Sequence, residues 1–295
     1  KEGEWTFRQL WVNGERRQRA RIPNSGYLRM AGPAPAARDA SGKEVSREKT
    51  AFTFRKGDLE PWPRLADANL ILMHSWENSI HPIKSVDTAT NILELAAPLK
   101  EWWKIGYWER EARYAVENVP EALDQPGEWY LDRQTGVLTY FPMPGETLGK
   151  VEVIAPFLPE LVRFEGNPDE GRFVRNVRLQ GLSFRHADWV LAPAGNSSTQ
   201  AAADTPAAIT ADGALGCALE GCEVAHLGTY AVWLRRGCKE CRIVRNEIHD
   251  VGAGGIRLGE TKMAKEDAAE TSRTLVDNNY IHDYGEVYTG AVGIW

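Results

Sequence analysis

The stretch RNEIHDVGAGGI (residues 245–256) has a near copy in DNNYIHDYGEVYTGAVGI (residues 277–294). Both phrases run from an Asn-containing turn through Ile-His-Asp into a Gly-rich apolar segment. A catalytic motif is seldom duplicated at such close range, whereas a structural unit that stacks on copies of itself has to recur. The repetition therefore indicates a solenoid.

The repeat extends over residues 173–295 when the phrases are aligned on the apolar residue before the turn. Three columns of residues match: Phe184, Val224, Ile248 and Ile281; Leu179, Leu219, Ile243 and Val276; Val177, Cys217, Cys241 and Thr274. The successive spacings are 40, 24 and 33 residues, which gives a base unit of 24 with polar insertions at 191–208 and 260–270. A unit of this length without helical periodicity predicts a right-handed parallel β-helix whose coils lie about 4.8 Å apart.

The N-terminal half lacks this period and contains short, separate strand patterns. Its clearest element is GEWYLDRQTGVLTYFPMPGE (127–146), which predicts a hairpin with Gly136 in the left-handed region. Pro and Gly become frequent between 155 and 172 and mark a boundary. We therefore predict an all-β chain, with a compact, mostly antiparallel β domain over 1–155 and an incomplete β-helix over 156–295.

Composition limits the partners of the chain. The net charge of −6 argues against nucleic acid, and no apolar run approaches the roughly 18 residues of a membrane span. The N-terminus has no apolar signal core, and the final GAVGIW lies within an apolar strand pattern. We expect the chain to be an internal piece of a longer protein.

The four cysteines allow two interpretations. The spacings Cys217-x4-Cys222 and Cys238-x2-Cys241 could form a zinc site or a disulfide. Because Cys217 and Cys241 share a column with Val177, buried stacked thiols are the better account. We predict no metal and no cofactor.

Turn residues of the repeat also have a structural and a functional interpretation. Asn246 and Asn279 share one turn position and predict an amide ladder along the stack. Asp250 and Asp283, which follow each Ile-His, are typical of turn capping through the backbone, with catalysis as the alternative.

One column favours a ligand. Val232, Ile256 and Ile294 align as inward residues, so their neighbours Trp233, Arg257 and Trp295 point outward on one sheet. Aromatic rings beside a planar cation suit the faces and hydroxyls of a sugar. We predict a substrate-binding strip with Arg257 accessible to solvent and close to an indole; packing against the first domain or the second insertion is the alternative.

Several phrases resemble glycoside hydrolase family 141 and its relatives. They are FRQLWVNGERRQRARIPNSGY (7–27), LMHSWENSIHPIKSV (72–86), RYAVENVPEALDQPGEWYLDRQTGVLTYFP (113–142), VRLQGLSFRHADW (177–189) and IHDVGAGGIRLGE (248–260). The resemblance implies that the first domain is inserted between an early coil and the rest of a β-helix. It also implies extracellular or periplasmic degradation of plant-type polysaccharide, with α-fucosidase and xylanase activities in the family, and further coils before Lys1 and after Trp295.

Glycoside hydrolysis requires two carboxyl groups. The resemblance implies an acidic pair that matches no position here and is expected in later coils, which predicts that this piece is inactive alone. The acidic residues nearest the proposed face are Asp250, Glu260, Asp283 and Glu286. Equivalent carboxylates one coil apart would lie about 5 Å apart, which suits a retaining pair, whereas two coils of separation approach about 10 Å, nearer the inverting range.

Three other classes of protein stay open: a polysaccharide lyase, a non-catalytic carbohydrate-binding β-helix, and a purely structural β-helix. The last would show the aromatic column buried under the first domain. A polysaccharide lyase would need Ca²⁺ held by several carboxylates and a base such as Arg257, but the sequence has no dense Asp cluster. A non-catalytic carbohydrate-binding or adhesin β-helix would use the Trp-Arg-Trp strip alone.

Overall fold

The computed structural model describes residues 5–100, 102–147 and 149–295. Its strands are β1 (Trp11–Val12), β2 (Glu15–Arg16), β3 (Gln18–Arg19), β4 (Arg21–Ile22), β5 (Leu28–Arg29), β6 (Gly32–Pro33), β7 (Ala37–Arg38), β8 (Glu44–Val45), β9 (Ala51–Thr53), β10 (Asn69–His74), β11 (Glu77–Asp87), β12 (Ile92–Leu95), β13 (Arg113–Glu117), β14 (Glu128–Leu131), β15 (Leu138–Tyr140), β16 (Val153–Ile154), β17 (Val162–Glu165), β18 (Val174–Arg175), β19 (Arg178–Gln180), β20 (Ser183–Ala187), β21 (Ala207–Asp212), β22 (Ala214–Leu215), β23 (Ala218–Glu220), β24 (Glu223–Leu227), β25 (Tyr230–Leu234), β26 (Arg242–Val244), β27 (Glu247–Val251), β28 (Ile256–Leu258), β29 (Leu275–Asp277) and β30 (Tyr280–Ile281). Single turns of 3-10 helix occur at Leu65–Asp67, Pro120–Ala122, Pro168–Glu170 and Asp267–Ala269. Over the described ranges the fold is all-β, as predicted, and no helix there is long and apolar enough to cross a membrane.

The chain divides into two compact units. The first unit comprises residues 5–6, 12–152 and 191–199, and the second comprises Phe7–Trp11, Val153–Val190 and Gln200–Trp295. The short segment that contains Trp11 thus belongs with the C-terminal part of the chain, although it lies close to the N-terminus.

The first unit is built on an antiparallel sheet in the order β4-β13-β10-β11-β12-β9-β6, with β5 beside β13. The sheet buries an apolar face that includes Phe52, Leu70, Leu72 and Tyr114. A separate hairpin pairs β14 with β15, and Gly136 in its turn has a φ of +72°. The predicted hairpin and its left-handed glycine are confirmed.

The second unit is a parallel β-helix with three long sheets. Sheet 1 has the order β17-β21-β25-β28, sheet 2 the order β19-β23-β26-β29 and sheet 3 the order β20-β24-β27-β30, with β18 paired to β22 at a corner. The aligned columns are in register in sheet 2, from Leu179 to Val276, and in sheet 3, from Phe184 to Ile281. The predicted coils and their inward ladders are confirmed.

The four cysteines line the interior of the β-helix as buried, free thiols. Cys241 donates a weak hydrogen bond from Sγ to the Ala214 carbonyl at 3.4 Å, and Cys238 does so to the Ala211 carbonyl at 3.2 Å. Burial raises the pKa of the Cys238 thiol to about 12. Cys217 and Cys241 face the interior as predicted, and no group of three His, Cys, Asp or Glu side chains in the described ranges could hold a metal ion.

The predicted amide ladder joins the turns between sheets 2 and 3. Asn246 Nδ2 donates to Asn279 Oδ1 at 2.9 Å and to the Leu219 carbonyl at 3.0 Å, while its Oδ1 accepts from the Cys222 N–H at 2.9 Å. Asn279 Nδ2 donates to the Ile243 carbonyl at 2.8 Å. The ladder satisfies backbone groups that the turns would otherwise leave unpaired.

Candidate functional site

Each coil of the β-helix bends at the end of sheet 3 through one residue with a positive φ. These residues are His186 (64°), His226 (57°), Asp250 (47°) and Asp283 (47°). They occupy equivalent positions in successive coils, because Ala187 pairs with Leu227, Leu227 with Val251, and Val251 bridges Tyr284. His and Asp tolerate the left-handed region better than most side chains. We call these four residues the corner column.

Asp250 is the most strongly held carboxylate of the corner column. Its Oδ2 accepts a hydrogen bond from Trp11 Nε1 at 2.7 Å and lies 2.6 Å from His226 Nδ1. The side chain is 18% exposed. When the Asp250 carboxylate is ionised it can only accept, and His226 Nδ1 is then the donor of this hydrogen bond. Two short donors stabilise the negative charge on this oxygen.

Imidazole rings stack along the same corner. The rings of His186 and His226 are parallel with centroids 5.1 Å apart, and those of His249 and His282 are parallel at 5.2 Å. Trp11 presents an edge-to-face contact to His186 at 5.1 Å and to His226 at 5.8 Å. The stack fixes the ring planes and therefore the direction from which His226 reaches Asp250.

Asp283 is the second carboxylate of the corner column. It follows Asp250 by one coil, so the two backbones are separated by about 4.8 Å. Its side chain is 73% exposed, and Oδ2 lies 2.9 Å from His282 Nδ1. The corner column therefore places one enclosed and one open carboxylate side by side.

Glu223 supports the stack from the neighbouring outward position of sheet 3. Burial alone would raise its pKa, but hydrogen bonds from Arg185, Ser183 and His249 hold the pKa below its ordinary value. The carboxylate is therefore ionised at neutral pH and accepts from the imidazole of His249, with 3.3 Å between Oε1 and Nε2.

The four candidate carboxylates do not form one cluster. Glu260 follows β28 of sheet 1, where its Oε1 accepts from Arg235 Nε at 2.9 Å, and it lines an open pocket of about 570 Å³ beside the second insertion. Glu286 comes shortly after Asp283, and its backbone N–H donates to the Val251 carbonyl at 3.2 Å. Of the four, Asp250 and Asp283 occupy equivalent positions in adjacent coils.

The predicted Trp-Arg-Trp strip has the expected register but not the expected exposure. Trp233 pairs with Arg257, and Ile256 bridges Ile294, which places Trp295 next to Arg257 in the following coil. Arg257 lies 3.6 Å from the Trp233 ring centroid, as expected of a residue near an indole. The expectation that Arg257 is accessible to solvent is wrong, because its side chain is 1% exposed.

The burial of Arg257 has an identifiable cause. Its Nη1 donates to the Thr205 carbonyl at 2.7 Å, so the connection from β20 to β21 covers the guanidinium. Burial lowers the pKa of this guanidinium from its ordinary value. Contact of the strip with a sugar stays a prediction, carried by the exposed Trp295 and by Trp233, which lines an open groove of about 410 Å³.

Sequence reasoning did not identify the histidines or Trp11 as part of a site. The signal was present, because Arg-His-Ala, Ala-His-Leu, His-Asp-Val and His-Asp-Tyr occupy one position of the repeat. An alignment that uses only the apolar columns does not show this repeated polar position. Trp11 could not be found in this way, since it lies outside the repeat.

Comparison with known proteins supports the architecture. No protein-family model matches the sequence, and no curated protein matches it. A solved structure described as a glycoside hydrolase is similar to this chain with a TM-score of 0.77 and 21% sequence identity, over 98% of this chain and 56% of that chain. At this identity the likeness shows the fold, and this chain spans 56% of the length of the matched one.

Proposed function

We propose that this chain belongs to a carbohydrate-active enzyme, a glycoside hydrolase, in which Asp250 and Asp283 form the catalytic carboxylate pair. The observation that carries the proposal is the corner column, where two carboxylates lie in adjacent coils and one of them is held by two donors. The likeness in fold to a glycoside hydrolase supports the class of reaction. Catalysis in later coils was the expectation from sequence; this proposal instead places a pair within the chain.

The spacing of the pair favours retention of configuration. Retaining enzymes hold their carboxyl groups about 5–5.5 Å apart, whereas inverting enzymes leave room for a water between them. One coil of separation matches the shorter distance. Asp250 is the nucleophile, because its Oδ2 is held in place by Trp11 Nε1 at 2.7 Å and by His226 Nδ1 at 2.6 Å. Asp283, exposed and next to His282, is the acid and base.

The chemistry then follows two steps. Asp250 forms a bond to the anomeric carbon while Asp283 gives its proton to the departing glycosidic oxygen, which breaks the glycosidic bond. Asp283 next removes a proton from water, the resulting hydroxide attacks the anomeric carbon, and Asp250 leaves as a carboxylate. The balance requires one water and no cofactor.

The substrate and location are further parts of the proposal. We place the chain in glycoside hydrolase family 141, with a fucoside or xylan-like plant polysaccharide as the substrate and an extracellular or periplasmic location. The resemblance of residues 72–86 and 113–142 to that family supports this assignment. Trp233 and Trp295 are the proposed contacts to sugar rings.

Turnover of 4-nitrophenyl α-L-fucoside and of xylan tests the proposal. We expect Asp250→Asn and Asp283→Asn each to lower kcat by about 10²–10⁴-fold, while Glu260→Gln, the matched control, keeps the wild-type rate. The anomer formed first, followed by proton NMR, should retain the configuration of the substrate. Unchanged turnover in either Asn variant would contradict the assignment, and binding without any turnover would favour the non-catalytic carbohydrate-binding alternative.

A further inference from the structure

The first unit exposes a cluster of four aromatic side chains, Trp76, Trp102, Tyr107 and Trp108. Their exposed fractions are 47%, 64%, 48% and 41%. Large aromatic rings are normally buried, and a contiguous exposed patch of them marks a site of interaction. We call these four residues the aromatic platform.

The rings of the aromatic platform are in mutual contact. Trp76 lies 4.7 Å from Trp108, Trp108 lies 4.8 Å from Tyr107, and Tyr107 lies 5.2 Å from Trp102, measured between ring centroids. The interplanar angles are 58°, 81° and 76°. Tyr107 therefore meets both Trp102 and Trp108 edge to face, Trp76 is tilted against Trp108, and the four rings form one continuous surface.

The backbone under the platform is anchored at both ends and in the middle. Leu99 N donates to the Lys49 carbonyl at 2.9 Å, Ile105 N to the Glu48 carbonyl at 2.9 Å, and Met30 N to the Ala112 carbonyl at 3.1 Å. Trp76 is fixed separately, since its Nε1 donates to the Thr199 carbonyl at 3.1 Å. The exposed rings are thus held in place before any ligand arrives, which lowers the entropic cost of binding.

The loop that carries Trp102, Tyr107 and Trp108 also contributes one buried aromatic residue, Trp103, to the core of the first unit. Trp103 is buried and contacts His74 with ring centroids 6.2 Å apart, and Ile105 is buried beside it. Trp102, Tyr107 and Trp108 stay outside. The loop is therefore well packed through Trp103 and Ile105, and the exposure of the other three rings does not result from poor packing of the loop.

Most of the charged side chains that neighbour the platform along the chain are paired, although Arg110 has no ion pair among the described residues. Lys104 Nζ lies 2.6 Å from Glu48, Arg29 Nη1 lies 2.6 Å from Glu109, and Glu111 pairs with Arg55 at 2.6 Å. Neutralised neighbours give little attraction for an ionic ligand. The platform therefore suits an uncharged partner.

The polar groups at the edges of the rings indicate the chemical class of the partner. Three of the polar groups make no hydrogen bond in the described part of the chain: the indole N–H groups of Trp102 and Trp108 and the hydroxyl of Tyr107. The indole N–H of Trp76 donates to the Thr199 carbonyl. A surface made only of Trp and Tyr offers flat apolar faces with donors at their rims. Sugar rings present the complement, with C–H faces and hydroxyl edges.

We infer that the aromatic platform is a binding site for an uncharged polysaccharide, separate from the corner column. It holds the chain on an extended glycan whether or not the corner column cleaves it. Binding here stands apart from the proposed hydrolase activity, so either can fail without the other.

Binding to insoluble xylan and cellulose by depletion assay tests the inference. The wild-type chain should bind at least one of them, and Trp102→Ala with Trp108→Ala should weaken that binding at least tenfold. Phe141→Ala, which removes an equally exposed ring elsewhere in the first unit, is the matched control and should bind like the wild type. Asp250→Asn should also bind like the wild type.

Further measurements separate a lost site from a lost fold and from other partners. The single variant Trp102→Ala, which removes the most exposed ring, should keep the wild-type melting temperature and its turnover of a soluble aryl glycoside while losing part of the binding. Titration of the wild type with xylo-oligosaccharide should change its tryptophan fluorescence. Equal binding of the platform variant and the wild type would overturn the inference. So would platform-dependent binding to phosphatidylcholine vesicles, or platform-dependent self-association, in the absence of glycan binding.

Discussion

Two guanidinium groups share the indole ring of Trp233. Arg257 is buried at 3.6 Å from the ring centroid, whereas Arg235 lies at 4.4 Å in an exposed ion pair with Glu260. Removing the buried group leaves a cavity and an unpaired Thr205 carbonyl, and removing the exposed one costs little.

We expect Arg257→Ala to lower the free energy of unfolding by about 2–4 kcal/mol. Arg235→Ala, its matched control, should change it by about 1 kcal/mol or less. Urea denaturation followed by circular dichroism measures both. Equal effects of the two variants would show that burial of Arg257 contributes no more than surface stacking.

His226 is a positioning residue for Asp250, since it reaches the carboxylate and not the proposed sugar site. His226→Phe keeps a ring in the stack but loses the hydrogen bond. We expect kcat to fall about 10–100-fold, with KM and the melting temperature near the wild-type values. His226→Gln, which can still donate, should restore part of kcat. A fall in stability without a change in kcat would leave His226 with a structural role alone.

For individual residues, the sequence predicted which side chains align in successive coils but not which of them a loop covers. The predicted register, in which Trp233, Arg257 and Trp295 are neighbours in successive coils, is confirmed. Whether an outward residue meets solvent depends on a loop from another coil. The position of the Thr205 carbonyl against Arg257 cannot be predicted from the periodicity of the strands.

The turns between sheets 2 and 3 are held by side chains as much as by backbone. Asn246 is buried and bonds backbone groups of Cys222 and Leu219 as well as Asn279, while Asn279 is half-buried. Unpaired buried polar groups cost more than the loss of a solvated bond. The inner rung of the ladder should therefore matter more than the outer one.

We expect Asn246→Ala to destabilise the second unit by about 2–4 kcal/mol, because the Cys222 N–H and the Leu219 carbonyl lose their partners in a buried turn. Asn279 also bonds two backbone groups, the Ile243 carbonyl and the Asn246 N–H, but it is half-buried, so water can replace it. Asn279→Ala should cost about 1 kcal/mol. Amide hydrogen exchange at Cys222 and in β23 and β26 would report the loss directly. Protection unchanged in Asn246→Ala would mean that the backbone finds other partners without the amide.

Elements were predictable where local pattern and fold agree. The apolar columns identified the strands of sheets 2 and 3, and the aromatic runs around Arg-Gln-Thr-Gly identified β14 and β15. The strand order of the first unit could not be predicted from the sequence. Pairs such as β4 with β13 join residues about ninety positions apart, and no local pattern indicates which distant strands pair. The sequence named Asp250 and Asp283 of the corner column as candidates but did not join His186 and His226 to them, because His and Asp are also ordinary turn residues.

At the scale of the whole molecule, acid should act on the two units through different groups. Burial lowers the pKa of His74 in the first unit to about 4 and that of His81 to about 3. Both bond the Ser79 hydroxyl through Nε2, at 2.6 Å and 2.9 Å. In the second unit, burial would raise the pKa of Glu220, but hydrogen bonds from Arg178 and Arg242 keep it below its ordinary value.

The lowered pKa values of His74, His81 and Glu220 decide how the stability of each unit changes with pH. Below about pH 6.5 the unfolded chain takes up protons on His74 and His81 that the folded unit does not, so unfolding is favoured as pH falls toward about 4. The contribution of Glu220 is retained until the pH falls below about 4.5. The first unit should therefore lose stability at a higher pH than the second.

Hydrogen exchange between pH 6.5 and 4, corrected for the intrinsic rate, measures this order. We expect protection to fall in β10 and β11 before it falls in β24 and β27. His81→Gln should reduce the slope of stability with pH in the first unit by about 1.4 kcal/mol per pH unit, the value for one proton. Simultaneous loss in both units, or an unchanged slope in the variant, would contradict the assignment to the buried histidines.

The two insertions have a consequence for how such a chain can diversify. The first insertion lengthens the connection from β20 to β21 and the second the connection from β28 to β29, while the stacked columns keep their register. Surface loops accept added length at small entropic cost. Natural variation can therefore change the length and composition of the two loops at sheet 1 one at a time, and the shape of the surface near Trp233 can change while the stacked strands and the core of the β-helix stay the same.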